Sequence, residues 1–228
     1  MASTPQGTPV EIVAFDFDGT CIDGNSPVIL VRYLRHKKLL KKRALARILL
    51  WGIAYKLRLP QNESWVRGAV FSSFEGEDKA EVDAFLKKFY DERIERLFRP
   101  KIDEEIARHR AAGREVWAVT ATFEPLIRQA ATHHDYTCVF ATRMATDEAG
   151  RYTCEVDGVP VEGEEKAVVI NREANARFGE GNWRIVCAYG DHHSDEPMLS
   201  MAEHAFAVSP DRPLRRYAKA RGWTILKW

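Results

Sequence analysis

The chain has 228 residues, 45% hydrophobic and 29% charged, with a formal net charge of +1. That length suits one full domain with a modest second module, and the apolar content excludes a disordered or collagen-like chain. Cys21, Cys138, Cys154 and Cys187 lie far apart with no CxxC spacing, which argues against a disulfide framework or a zinc site. The start, MASTPQGTPV, has no basic or apolar leader region, and no apolar run reaches about 18 residues, so a cytoplasmic chain that does not span a membrane is expected.

In chain order, Glu11–Phe15 reads as a short buried strand ending in Asp16. Residues 25–99 break the pattern. They contain no convincing strand and read as an insertion of about four helices. Ser26–Pro27 is a helix-start pair, and Val82, Phe85, Leu86 and Phe89 fall on one helical face. A helix starting near Pro100 closes at Arg110–Gly113, and a predicted strand over Glu115–Val119 ends in Thr120. A helix begins at Pro125, Asp147–Gly158 reads as a hairpin, and a helix over Glu164–Phe178 stops at Gly179. The predicted strand Arg184–Tyr189 leads into Gly190–Asp191. A short helix (Asp195–Ala202), a strand (Ala205–Val208), a helix (Pro213–Arg221) and a last strand (Trp223–Leu226) follow. This alternation predicts an α/β fold, a doubly wound parallel sheet built from 9–24 and 100–228, with 25–99 as an inserted helical-bundle cap.

The polar residues fall where such a sheet binds ligands. Asp16, Asp18, Thr120 and Asp191 all sit at or just beyond the carboxyl ends of predicted strands. Side chains at i and i+2 of an extended stretch point the same way, so Asp16 and Asp18 address one small volume. Gly19 permits a tight turn that aims backbone N–H groups at the same place. Three clustered carboxylates need a counter-charge, and a donor set made only of oxygen favours Mg²⁺ over zinc. Thr120, with backbone N–H groups such as that of Ala121, and Lys166 form an anion-binding side. A carboxylate nucleophile, a neighbouring acid, a metal and a lysine together describe phosphoryl transfer through an aspartyl-phosphate.

DFDGT (16–20), the Thr of AVTAT (118–122), the Lys of GEEK (163–166) and YGDHHSDEPML (189–199) match in order the four motifs of the haloacid dehalogenase superfamily. The chain most resembles its phosphoserine-phosphatase-like branch, whose members carry a helical cap between the first two motifs. The resemblance implies that Asp16 is the nucleophile and a Mg²⁺ ligand. It implies that Asp18 is the general acid and base, binding the metal through its main-chain carbonyl. Thr120 and Lys166 would hold the phosphoryl oxygens, Asp191 would complete the metal site, and Asp195 would support it. Two positions depart from the pattern. His192 and His193 stand where small or polar residues are usual. Asn25 stands nine positions after the nucleophile, where phosphoserine phosphatases carry a Glu that pairs with the substrate ammonium. Asn25 and His192 are therefore candidates for setting specificity, and Arg67 in the inserted segment is a third.

Between Gly24 and Asn62 the chain has ten Lys and Arg and no Asp or Glu. In 32–58 these cations alternate with Leu, Ile, Trp and Tyr, as in a helix lying on anionic lipid. The expected substrate is a small phosphomonoester. The alternatives are a membrane-associated lipid phosphate, of the phosphatidylglycerophosphate or lysophosphatidate type, and, less favoured, phosphoserine. A phosphotransferase, or a binding module that has kept only the fold, would be a different class, and the complete set of chemical residues argues against the latter. No recognition motif accompanies the basic run, so nucleic acid is not an expected partner.

Overall fold

The computed structural model describes residues 8–38 and 70–228. Arg67 and positions 39–58 of the basic run lie outside them. The described chain divides into two compact units. One comprises 8–23, 97–142 and 159–228, and the other 24–38, 70–96 and 143–158.

The first unit is built on a six-stranded sheet. Its strands are β1 (Val10–Phe15), β2 (Glu115–Phe123), β3 (Cys138–Thr142), β6 (Trp183–Gly190), β7 (His204–Val208) and β8 (Thr224–Leu226), in the order β3-β2-β1-β6-β7-β8. Every pairing is parallel, so the sheet is doubly wound as the alternation of elements predicts. Strand order runs outward in one direction from β1 and in the other from β6, which makes the β1–β6 boundary the topological switch point. β1 is central because it is apolar on both faces, with Ile12, Val13, Ala14 and Phe15 all fully buried. On one face Ile12 and Ala14 pack with Trp117, Val119, Ile170 and Leu199. Toward the other point Phe15 and Tyr189, whose rings stack 4.3 Å apart, and Tyr189 stacks in turn on Phe206. The helix Pro100–Ala111 starts with a proline in its first turn, ends in Arg108–His109–Arg110, and buries Ile102, Ile106 and His109.

Three details differ from the sequence reading. Cys138–Thr142 is a strand that no pattern announced, because it is an edge strand with four half-covered residues and no polar alternation. β2 continues four residues past Val119. Its regular pairing to β3 nevertheless ends at Thr120, which faces Ala141, and resumes only at Phe123. The hairpin is formed by β4 (Met144–Thr146) and β5 (Tyr152–Val156), so its first arm begins before Asp147.

In the second unit, Asn25 caps the helix Ser26–His36 by accepting the Val28 N–H at 3.1 Å, with Pro27 in the first turn. Asp78 caps the helix Lys79–Phe89, whose Val82, Leu86 and Phe89 are buried while Phe85 packs on Tyr33 and Phe74. The hairpin belongs to this unit, although the sequence reading places it in 100–228. Gly76 donates to the Tyr152 carbonyl at 2.8 Å, and Tyr152 donates to that of Glu77 at 2.9 Å. Among the described residues no helix is long and apolar enough to cross a membrane.

Candidate active site

At the switch point the chain leaves β1 still extended. The Asp16 N–H donates to the Tyr189 carbonyl at 2.9 Å, Phe17 turns fully into the core, and Asp16 and Asp18 are left on the opposite side. The next residues bring this loop against β6. Gly19 has φ +79°, and a Cβ there would lie 2.1 Å from Asp191 Oδ2, so the close approach requires glycine. Thr20 Oγ1 donates to Asp191 Oδ1 at 3.3 Å. Beneath the loop the buried Cys21 thiol donates to the Asp16 carbonyl at 3.0 Å and accepts from the Tyr136 hydroxyl at 3.1 Å. Arg99 donates to the Gly19 carbonyl at 3.3 Å and to Asp23 at 3.0 Å, bracing the same turn.

Lys166 enters from the first turn of the helix Glu164–Phe178. Its Nζ lies 2.5 Å from Asp16 Oδ1 and 2.6 Å from Asp195 Oδ1, and it is only 3% exposed. The second oxygen of Asp195 accepts the N–H groups of Asp191 and His192, each at 3.1 Å. Gly190 leaves room for this, since a Cβ there would meet the Asp195 Cβ at 2.7 Å.

The charges do not balance. Asp16, Asp191 and Asp195 present carboxylate oxygens within 4.8 Å of one another, with Lys166 as the cation held directly between two of them. Burial pushes the Asp16 carboxyl up to about 7 against the pull of Lys166, and the Asp195 charge adds to the rise. Burial and then the Asp16 charge push Asp191 up to about 9. Burial works against the Lys166 ammonium, but Asp16 and Asp195 outweigh it and hold the amine above its ordinary range. A surplus of negative charge on hard oxygen donors fits a small divalent cation such as Mg²⁺.

The sequence-predicted residues fall into three groups. Asp16, Lys166, Asp191 and Asp195 form the cluster just described, with Gly19 against it. Asp18 forms a second group: its Oδ2 accepts a hydrogen bond from Thr122 Oγ1, and Thr120 Oγ1 accepts the Thr122 N–H at 3.2 Å. Ala121 lies half-buried between these threonines. The third group is the specificity candidates among the described residues. Asn25 is engaged as a helix cap in the second unit, and His192 Nδ1 lies 2.9 Å from Ser194 Oγ. The sequence reading did not single out Thr122, Cys21 or Arg99. Thr122 carried a usable signal, since it stands two positions from Thr120 and shares its strand face. Cys21 and Arg99 act through tertiary contacts that no local pattern encodes.

The family model described as haloacid dehalogenase-like hydrolase matches residues 13–200. Phosphoserine phosphatase SerB1 of Mycobacterium tuberculosis is 30% identical, over 98% of this chain and 74% of that protein. A histidinol-phosphatase of Neisseria meningitidis is 29% identical over 66% of this chain and 68% of its own length. Among solved structures, a protein of unknown function from Bordetella pertussis superposes with a TM-score of 0.84 at 24% identity, covering 96% of this chain and 99% of that one. A substrate-bound phosphoserine phosphatase does so at 0.66 and 16%, covering 97% and 95%. These two share the fold. The family model, which spans most of the chain, and the 30% identity to SerB1 show the same thing: the chain belongs to the haloacid dehalogenase-like hydrolase family. It is an enzyme of that family.

Proposed function

We propose that this hydrolase is a Mg²⁺-dependent phosphatase that cleaves small phosphomonoesters through an aspartyl-phosphate on Asp16. The observation that carries the reading is the buried Lys166 Nζ, 2.5 Å from Asp16 and 2.6 Å from Asp195, beside the high-lying carboxyl of Asp191. A carboxylate so placed is fixed in direction by its lysine and attacks phosphorus with its other oxygen. The ester oxygen leaves and takes a proton from Asp18. Asp18 then removes a proton from water, which attacks the phosphorus and releases inorganic phosphate and free Asp16. The Thr122 hydroxyl keeps Asp18 pointed at the reacting atoms. Thr120, the Ala121 N–H and Lys166 hold the phosphoryl oxygens. Asp16, Asp191 and the Asp18 main-chain carbonyl would hold Mg²⁺, with Asp195 behind them, and the ion when bound neutralises charge on the phosphoryl oxygens.

Phosphoserine is disfavoured, because Asn25 is neutral and its side-chain oxygen is committed to a helix cap. A second reading rests on the acid-free run of ten cations between Gly24 and Asn62, which suits a phosphomonoester held at an anionic membrane surface. One panel separates these substrates: phosphoserine, sugar phosphates, nucleotides, lysophosphatidate and phosphatidylglycerophosphate, each with Mg²⁺ and with excess chelator. The proposed reading expects soluble phosphomonoesters to turn over only with the metal. Full turnover in chelator would refute it, and turnover of the lipid substrates alone would favour the second reading.

A further inference from the structure

The loop that carries Asp191 also carries His192 and His193, which meet Asp211 from the loop after β7 in a second set of donors that the proposed reaction does not use. His193 Nδ1 lies 3.1 Å from Asp211 Oδ2, and His192 Nε2 lies 3.6 Å from the same oxygen. All three donor atoms fall within 4.8 Å of one another. A tetrahedral ion with bonds of about 2.0–2.1 Å spaces its ligand atoms roughly 3.3 Å apart, a value that the two resolved gaps bracket.

The donors are also aimed. Ser194 engages His192 through Nδ1, with Oγ at 2.9 Å and N–H at 3.4 Å, which leaves Nε2 turned toward Asp211. Asp211 spends Oδ1 on capping the helix Arg212–Arg221, accepting the Leu214 N–H at 2.7 Å, and so presents Oδ2 to the imidazoles. The two rings lie 4.0 Å apart by centroid, and the exposed His193 leaves one side open to water.

Two imidazoles and one carboxylate differ in kind from the all-oxygen set of Asp16, Asp191 and Asp195. Nitrogen donors favour borderline ions such as Zn²⁺, Co²⁺ and Ni²⁺ over Mg²⁺. We propose that His192, His193 and Asp211 form a binding site for a divalent transition-metal ion, separate from the acidic cluster, and that loading it modulates turnover. The connection is short. The Asp211 N–H donates to the Asp191 carbonyl at 2.9 Å, and the His192 N–H donates to Asp195. An ion that tightens the three side chains therefore pulls on the loop that positions both acids.

The test uses the full chain free of any polyhistidine tag, in excess Mg²⁺ so that the acidic cluster is occupied. Calorimetric titration with Zn²⁺ is expected to show one site per chain. Loss of an outer-shell partner already weakens metal sites about 10–100-fold, so His193→Ala and Asp211→Asn are each expected to weaken this one at least that much. Asn keeps the helix cap, and His193 is exposed, so both variants should melt with the wild type in chelator. Mg²⁺-supported turnover of an aryl phosphate should be less sensitive to Zn²⁺ in both variants than in the wild type. Zn²⁺ bound as tightly by His193→Ala as by the wild type, or not bound by the wild type at all, would overturn the site. Equal Zn²⁺ sensitivity of turnover in wild type and variants would overturn the modulation.

Discussion

Two buried polar clusters meet at Tyr189, and they are built on opposite principles. Its main-chain carbonyl accepts the N–H of Asp16, at the edge of the acidic site. Its hydroxyl belongs to a network in which each member has a matched partner. Arg114 donates to His109 Nδ1 at 2.9 Å, His109 Nε2 meets the Tyr189 oxygen at 3.1 Å, and the Tyr189 hydroxyl donates to Glu105 at 2.8 Å. An arginine on Nδ1 fixes the tautomer with its proton on Nε2, so the imidazole is neutral and satisfied on both sides. Burial, then the charges of Arg108 and Arg114, hold His109 down at about 4. The acidic cluster is the reverse: the carboxyls of Asp16 and Asp191 are pushed up, and the cluster's charge is unmatched. Burial alone does not mark a functional site. What separates the two clusters is whether the polar groups satisfy one another or need a ligand to do so.

The sharpest way to break this comparison is to neutralise one acid. Asp16→Asn should abolish turnover of an aryl phosphate while raising the melting temperature in chelator, because it removes a carboxylate from an overcrowded site. At this chain length each kcal/mol gained appears as about 2–4 °C. A variant that loses activity and also melts lower would place Asp16 among ordinary structural residues. Removing the cation should have the opposite thermal effect. Lys166→Ala should slow turnover by about 10²–10³-fold, as loss of a preorganised charge does. It should also lower the melting temperature in chelator, since Asp16 and Asp195 are then buried without their partner.

The satisfied cluster should respond in stability and not in catalysis. His109→Gln should leave kcat unchanged while costing about 1–3 kcal/mol in urea unfolding at neutral pH. The pH dependence follows from the folded chain protonating His109 only near pH 4, whereas the unfolded chain does so at its ordinary 6.5. The unfolded state therefore binds more protons between those values. The stabilising contribution is complete above pH 6.5 and is lost as pH falls toward 4, by at most about 3 kcal/mol. The stability gap between wild type and variant should narrow across that window, and a gap independent of pH would show that His109 is not held neutral. The smallest effect concerns Thr122. Thr122→Val removes one hydrogen bond to Asp18 and should lower kcat roughly tenfold, the equivalent of about 1.4 kcal/mol, with little change in KM.

Much of this was legible before the structure. Asp16, Asp18 and Asp191 stand at strand ends, and a strand end in an alternating chain is a local, readable position. The reach of Lys166 over 150 positions to Asp16 was not local, and the motif order rather than any periodicity indicated it. Cys138–Thr142 escaped because a short edge strand has too few covered residues to set a pattern. The hairpin was legible as a hairpin, but its attachment to Gly76 and Glu77 was not, since backbone hydrogen bonds between distant segments carry no side-chain signal. Asn25 shows the converse. Its chemistry argued against an ammonium partner, and the structure gives it a local use as a helix cap.

The central claim is that Asp16 carries the phosphoryl group between the two half-reactions, and an acid quench of Asp18→Asn tests it most directly. That variant lacks the group proposed to activate water, while an aryl phosphate needs little help from an acid to leave. Rapid quenching during turnover with Mg²⁺, followed by mass analysis of the peptide containing 16–20, should find one phosphoryl group on Asp16, accumulated beyond the level in wild type. Residual hydrolysis with no phosphoryl group on that peptide would contradict the account.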